Sequence, residues 1–95
     1  MKKFREVFTA PKSIIGVIHL KGDTDEDIKA RAKKEIGLYI DGGLDAVIFE
    51  DYFGSYPYLE WVLDYAKTQK LPVPYGVNCL NFDSLNFKLA RDYHC

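Results

Sequence analysis

Apolar residues along this chain follow two different periods. Three short runs rich in β-branched residues, 14–20 (IIGVIHL), 44–49 (LDAVIF) and 73–80 (VPYGVNCL), are too short for ordinary helices and predict strands. Elsewhere apolar residues recur at helical spacing. Ile28, Ala32, Ile36, Tyr39 and Ile40 form one stripe, Leu59, Val62, Leu63 and Ala66 a second, and Leu85, Leu89 and Tyr93 a third. Local signals bound these segments. Asp23 or Thr24 suits the cap of the first helix, and Asp25, Glu26 and Asp27 then meet the positive end of its dipole. Gly42 and Gly43 suit its end, because glycine accepts the left-handed conformation that a side chain resists. Pro57 marks the first turn of the second helix, and Lys70 to Pro72 end it, because Pro cannot continue a helix and disfavours helical geometry at Leu71. Asp83 or Ser84 is placed to cap the last helix.

The order is β-α-β-α-β-α, an α/β pattern whose short connections require parallel strands joined by right-handed helical crossovers. The stretch 41–54 (DGGLDAVIFEDYFG) is its centre: a helix end, a strand apolar on both faces, then two acids and an aromatic-Gly loop. In a parallel sheet the carboxyl ends of all strands lie on one side, so His19, Glu50 with Asp51, and Asn78 should converge. Alternation makes this testable. If these residues face one way, so do Ile15, Val17, Ala46, Ile48, Pro74 and Gly76. The opposite parity leaves Val47, Phe49, Tyr75, Val77 and Cys79 for the helices to cover.

Composition narrows the setting. The 95 residues amount to one domain at most, well short of the ~250 of a closed (β/α)₈ barrel. A hydrophobic share of 47% argues for a folded segment, and a net charge of -1 gives no general attraction to nucleic acid or anionic membrane. Lys2, Lys3 and Arg5 read as a solvated tail, and Arg5 and Glu6 interrupt any signal-peptide apolar region. No apolar run approaches the ~18 to 20 residues needed to span a bilayer. The chain is expected in the cytoplasm, with Cys79 and Cys95 as reduced thiols. Neither cysteine has the CxxC spacing or His partners of a zinc site.

The convergent residues have complementary chemistry. His19 exchanges a proton near neutral pH, Glu50 is a candidate general base, and Asn78 can orient a carbonyl, hydroxyl or oxyanion without carrying charge. The simpler alternative is a His bonded to a neighbouring carboxylate and an Asn tying down its own loop. No metal is expected, since His19 and Glu50 have neither an HxH pair nor a second nearby His to complete a ligand set. No GxGxxG or Walker motif points to a cofactor, and Gly42 and Gly43 precede a strand where a phosphate loop would follow one.

Three blocks together, IGVIHL with His19, GGLDAVIFEDYFG with Glu50 and YGVNCL with Asn78, resemble the BtpA family of TIM-barrel proteins in content and order. The resemblance covers the chain as the first three βα units of such a barrel, so a truncated or prematurely terminated form is expected, with catalysis incomplete in the 95 residues alone. It implies catalytic roles for His19, Glu50 and Asn78, and substrate contacts from Asp51, Gly54, Gly76, Asn81 and Asp83. The chain departs from the family pattern where Lys21, Gly22 and Asp23 replace a Leu-Pro-rich loop. It departs again where Asp51 follows Glu50 and where Asn81, Phe82 and Asp83 replace an Arg-Asn-Asp segment.

The family implies two functions. One is a metabolic enzyme acting by acid/base chemistry on a small phosphorylated sugar or nucleotide-derived metabolite. The other is a non-catalytic factor in the biogenesis of a membrane protein complex such as photosystem I. That factor would use an aromatic surface of Tyr52, Phe53, Tyr56, Tyr58 and Trp61, for which loop and helix packing is the simpler account. The unpaired edges of a partial barrel favour self-association into a homo-oligomer.

Overall fold

The computed structural model describes residues 3–51, 56–80 and 82–95. Strands β1 (Ile15–Ile18), β2 (Ala46–Glu50) and β3 (Tyr75–Asn78) form one parallel sheet in the order β1-β2-β3. Helices α2 (Asp25–Asp41), α3 (Tyr56–Gln69) and α4 (Asp83–Tyr93) follow the successive strands, which gives the α/β alternation that the sequence predicts. A further turn, α1 (Phe4–Val7), precedes the sheet. It has no counterpart in the sequence reading because four residues are too few to show a period. It is closed by Phe8 N–H on the Phe4 carbonyl at 2.8 Å, and Lys3 N–H donates to Glu6 Oε2 at 3.1 Å.

Each strand is shorter than, or displaced from, its apolar run, because the ends of the runs leave the sheet. Leu20 takes a positive φ of 53° just past β1, turning the chain away after His19. The helix starts divide the cap signals. Thr24 Oγ1 accepts Asp27 N–H at 3.0 Å, so Thr24 caps α2. At α4 neither Asp83 nor Ser84 is the cap: Phe82 holds that position without a side-chain bond, and Asp83 opens the helix.

The helices end alike. Gly43 (φ 79°), Lys70 (φ 51°) and His94 (φ 56°) turn left-handed, and the next amide reaches back five residues: Leu44 to Tyr39, Leu71 to Ala66 and Cys95 to Ala90. This is the Schellman closure, which satisfies carbonyls left open by the last helical turn. At α3 the reversal is made by Lys70, the first residue of the 70–72 stop expected from the sequence.

The core lies on one face of the sheet. Ile18, Leu20, Val47, Phe49 and Cys79 meet Ile28, Ala32 and Ile36 of α2, Leu59, Val62, Leu63 and Ala66 of α3, and Leu89 of α4. Burying a Phe or Leu side chain fully contributes about 1.5–3 kcal/mol. Gly16 shows how closely α2 approaches. A Cβ there would lie 2.7 Å from the Tyr39 ring and 2.6 Å from Leu44 Cδ2, and the Tyr39 hydroxyl donates to the Val17 carbonyl at 3.0 Å. Outside this core, α2 and α3 are joined by a second set of contacts. Tyr58 donates to Asp25 at 2.9 Å, while Lys29 lies 5.6 Å from the Trp61 ring centre and Lys33 lies 5.3 Å from that of Tyr65.

Among the described residues, none of α2, α3 and α4 covers the opposite face. Ile15 is 42% exposed, and Val17 and Ile48 are only half-buried. The strand parity expected from the sequence is thus the observed one. Among the described residues no helix is long and apolar enough to cross a membrane.

Candidate functional site

Parallel register sets the site. Glu50 pairs with Asn78, and Ile18 with Phe49, so His19 leaves β1 beside Glu50. All three belong to the parity of the uncovered face, at the carboxyl edge of the sheet. Asn78 Nδ2 donates to Glu50 Oε2 at 3.1 Å, and His19 Nε2 lies 3.7 Å from Glu50 Oε1. The second distance exceeds a hydrogen bond but allows ion pairing when the imidazole is protonated. The Glu50 side chain is 16% exposed and that of His19 46%, so the carboxylate is sheltered between an amide and a more open imidazole. Such a row can hold a hydroxyl or carbonyl at Asn78 while a proton moves at Glu50.

The row is supported from behind. Asp51 Oδ1 accepts Leu80 N–H at 3.0 Å and Oδ2 accepts the Cys79 thiol at 3.3 Å, while Asp51 N–H meets the Asn78 carbonyl at 3.4 Å. Asn86 clamps the same exit: its Oδ1 accepts Cys79 N–H, and its Nδ2 donates to the Cys79 carbonyl at 3.1 Å. Asp51 therefore spends both oxygens within the chain, where the family resemblance implies a substrate contact. Asn86 was not singled out in the sequence. The available signal was an Asn within a helix, three residues before the buried Leu89, where a polar side chain needs a partner on the covered side.

Gly76 lies next to Ile48 on the uncovered face, one row below Glu50 and Asn78. Asp83 is exposed at the start of α4, and no described residue bonds it to the row. Gly54 and Asn81 lie outside the described residues, as do Tyr52 and Phe53. Among the described residues, no group of three or more His, Cys, Asp and Glu side chains is placed to hold a metal ion.

An open groove of about 870 Å³ wraps the amino ends of the strands, with Ile15, Ala46, Ile48 and Gly76 of the uncovered face and Val47 and Tyr75 of the helix face among its lining. The polar row lies beyond this lining, past Ile48 and Gly76, so chemistry and cavity adjoin without coinciding. On the helix side, Tyr56 donates to Glu60 at 2.8 Å. Burial and that carboxylate push its phenol up to about 12. Burial likewise raises the Cys95 thiol at the far end of the groove. Comparison with family models, with curated proteins and with solved structures gives no match to this chain.

Proposed function

We propose that this chain carries the His, Glu and Asn of an acid/base enzyme built on a BtpA-like TIM barrel. Its substrate is a small hydroxylated metabolite such as a phosphorylated sugar or a nucleotide-derived compound. The observation that carries this reading is the cross-strand row, with one Glu50 oxygen held by Asn78 and the other turned toward His19. Glu50 is the proton acceptor, Asn78 orients the reacting group, and His19 returns or relays the proton. Asp51 and Asn86 position Asn78 through Cys79 and Leu80. Parallel-sheet proteins place ligands outside the carboxyl ends of their strands, which supports the location. A structural role alone would need only the Asn78 to Glu50 bond and would leave the row indifferent to small molecules.

The test is a thermal-shift screen of phosphorylated sugars and nucleotides against the wild-type chain, Glu50→Gln and Asn78→Ala, with circular dichroism to check folding. A compound that stabilises the wild type but not a folded Glu50→Gln is the expected result. Equal responses in wild type and both variants, or no response to any compound, would overturn the proposal.

A further inference from the structure

Side chains meet both outer edges of this sheet, as the direction of its backbone bonds shows. Val47 and Asp51 donate to the Pro74 and Asn78 carbonyls, so odd-numbered residues of β2 turn toward β3 and even-numbered ones toward β1. Just ahead of β2, Asp45 N–H meets the Ile14 carbonyl, which turns the even-numbered residues of β1 toward β2. Ile15 and Val17 therefore direct their N–H and C=O groups away from the sheet. On β3 the same alternation turns Tyr75, Val77 and, just past the strand, Cys79 outward.

Each edge has a side chain bonded to one of these outward residues. On the β1 side the Tyr39 ring crosses Gly16, where a Cβ would lie 2.7 Å from it, and its hydroxyl donates to the outward Val17 carbonyl at 3.0 Å. On the β3 side Asn86 takes both outward groups of Cys79: its Oδ1 accepts the N–H, and its Nδ2 donates to the C=O at 3.1 Å. The donor and acceptor of one planar amide stand where a peptide unit of a neighbouring strand would place its own. An open edge is a template for another chain, and proteins blunt it by covering or occupying its polar groups. The pairing at issue here sets β3 of one copy against β1 of the next. Such head-to-tail contact is heterologous, so it continues from copy to copy into rings or filaments.

We infer that Tyr39 and Asn86 are edge guards, which keep a second copy of this chain from extending the sheet and so hold the chain as a monomer. This is the reverse of the self-association that unpaired edges lead one to expect. The inference goes beyond the proposed function and does not depend on the polar row. A fourth strand of a barrel would lie along Tyr75 and Val77 and end at Asn86, whereas a strand beside β1 would displace the Tyr39 hydroxyl.

The test compares the wild-type chain with Tyr39→Phe, Asn86→Asp and the double variant by sedimentation velocity over a concentration series, with circular dichroism to check folding. Tyr39→Phe keeps the ring over Gly16 and removes only the donor. Asn86→Asp keeps an acceptor for Cys79 N–H and removes the donor to its C=O. Ile36→Val, a buried change on α2, is the control for lost stability alone. The double variant is expected to associate at a concentration where the wild type and Ile36→Val remain monomers. Each single change should shift the onset of association by about two- to tenfold, the net scale of one hydrogen bond, and these variants carry the comparison if the double variant unfolds. Amide hydrogen exchange locates the contact: Ile15, Val17, Tyr75 and Val77 should exchange more slowly in the associated form. The guard role is overturned if the wild type already associates with these amides slowed, or if the folded guard variants stay monomeric throughout. It is overturned equally if Ile36→Val associates as they do, or if they associate without slowing the edge amides.

Discussion

The two faces of this small sheet are made of the same strands but answer to different requirements. On the helix face, successive rows hold Gly16, Val47 and Tyr75, then Ile18, Phe49 and Val77, and each position is set by what α2, α3 or α4 places against it. On the other face the rows are Ile15 and Ala46, then Val17, Ile48 and Gly76, with Glu50 and Asn78 above. None of α2, α3 and α4 packs there, and only Val7 of the short α1 adjoins its lower part among the described residues. Residue choice on the first face is explained by packing, whereas on the second it is not, and the unexplained residues are those with chemistry. The difference teaches where to look for function: at residues that the fold tolerates without using.

Truncation of adjacent residues on β2 tests this contrast most strongly. Phe49 is fully buried between the sheet and the helices, and Phe49→Ala is expected to cost about 3–5 kcal/mol, enough to unfold a small domain. Ile48 points the other way and is half-exposed, so Ile48→Ala should cost about 1 kcal/mol or less. Urea denaturation of both variants gives the comparison directly. Equal losses would mean that the second face is as tightly covered in solution as the first.

A smaller contrast separates the glycines. At Gly16 an added methyl must displace the Tyr39 ring, which is anchored by its hydroxyl on Val17, so Gly16→Ala should destabilise by about 1–3 kcal/mol. Gly76→Ala meets open space and removes unfolded-state freedom, so it should stabilise by about 0.5 kcal/mol. The opposite signs are the outcome to look for in the denaturation midpoints. Destabilisation at both positions would show that the space above Gly76 is filled in the free protein.

How far the sequence reveals these faces depends on the range of the interactions involved. Strand parity is a local property, so the alternation of Val47 and Phe49 with Ile48 and Glu50 already separates the helix face from the site face. Parallel order follows from the short crossovers, and with it the convergence of His19, Glu50 and Asn78. The helix ends are legible where glycine or proline signals them, but the left-handed turn itself is announced only by glycine. Gly43 announces it, but Lys70 and His94 adopt the same left-handed turn with nothing in their side chains to do so. Nor was the support of the row legible. Asp51 bonds Leu80 and Cys79 through its two oxygens, and Asn86 reaches back to Cys79 across a turn that the residue pattern does not describe. The aromatic residues of α3 illustrate the same limit. Trp61 belongs to the aromatic surface read from the sequence, yet it stacks on Tyr65 at 5.7 Å, and the two rings receive Lys29 and Lys33 from α2.

A further expected effect concerns pH and belongs to the helix face. Tyr56, at the start of α3, has its phenol raised from 10.0 to about 12, first by burial and then by its bond to Glu60. Between these values the folded chain keeps a proton that the unfolded chain releases. The resulting stabilisation is complete below pH 10.0 and is lost as pH rises through about 12. Tyr58, Tyr75 and Tyr93 are shifted in the same direction, so the wild type should lose stability over this alkaline window and Tyr56→Phe should lose it less steeply. Urea midpoints taken across the window decide the matter, with the 295 nm tyrosinate absorbance as a check on titration. An unchanged slope in Tyr56→Phe would mean that Glu60 and the surrounding side chains do not hold this phenol neutral. A shallower slope would place the pH dependence on the packed face, apart from the chemistry of the open one.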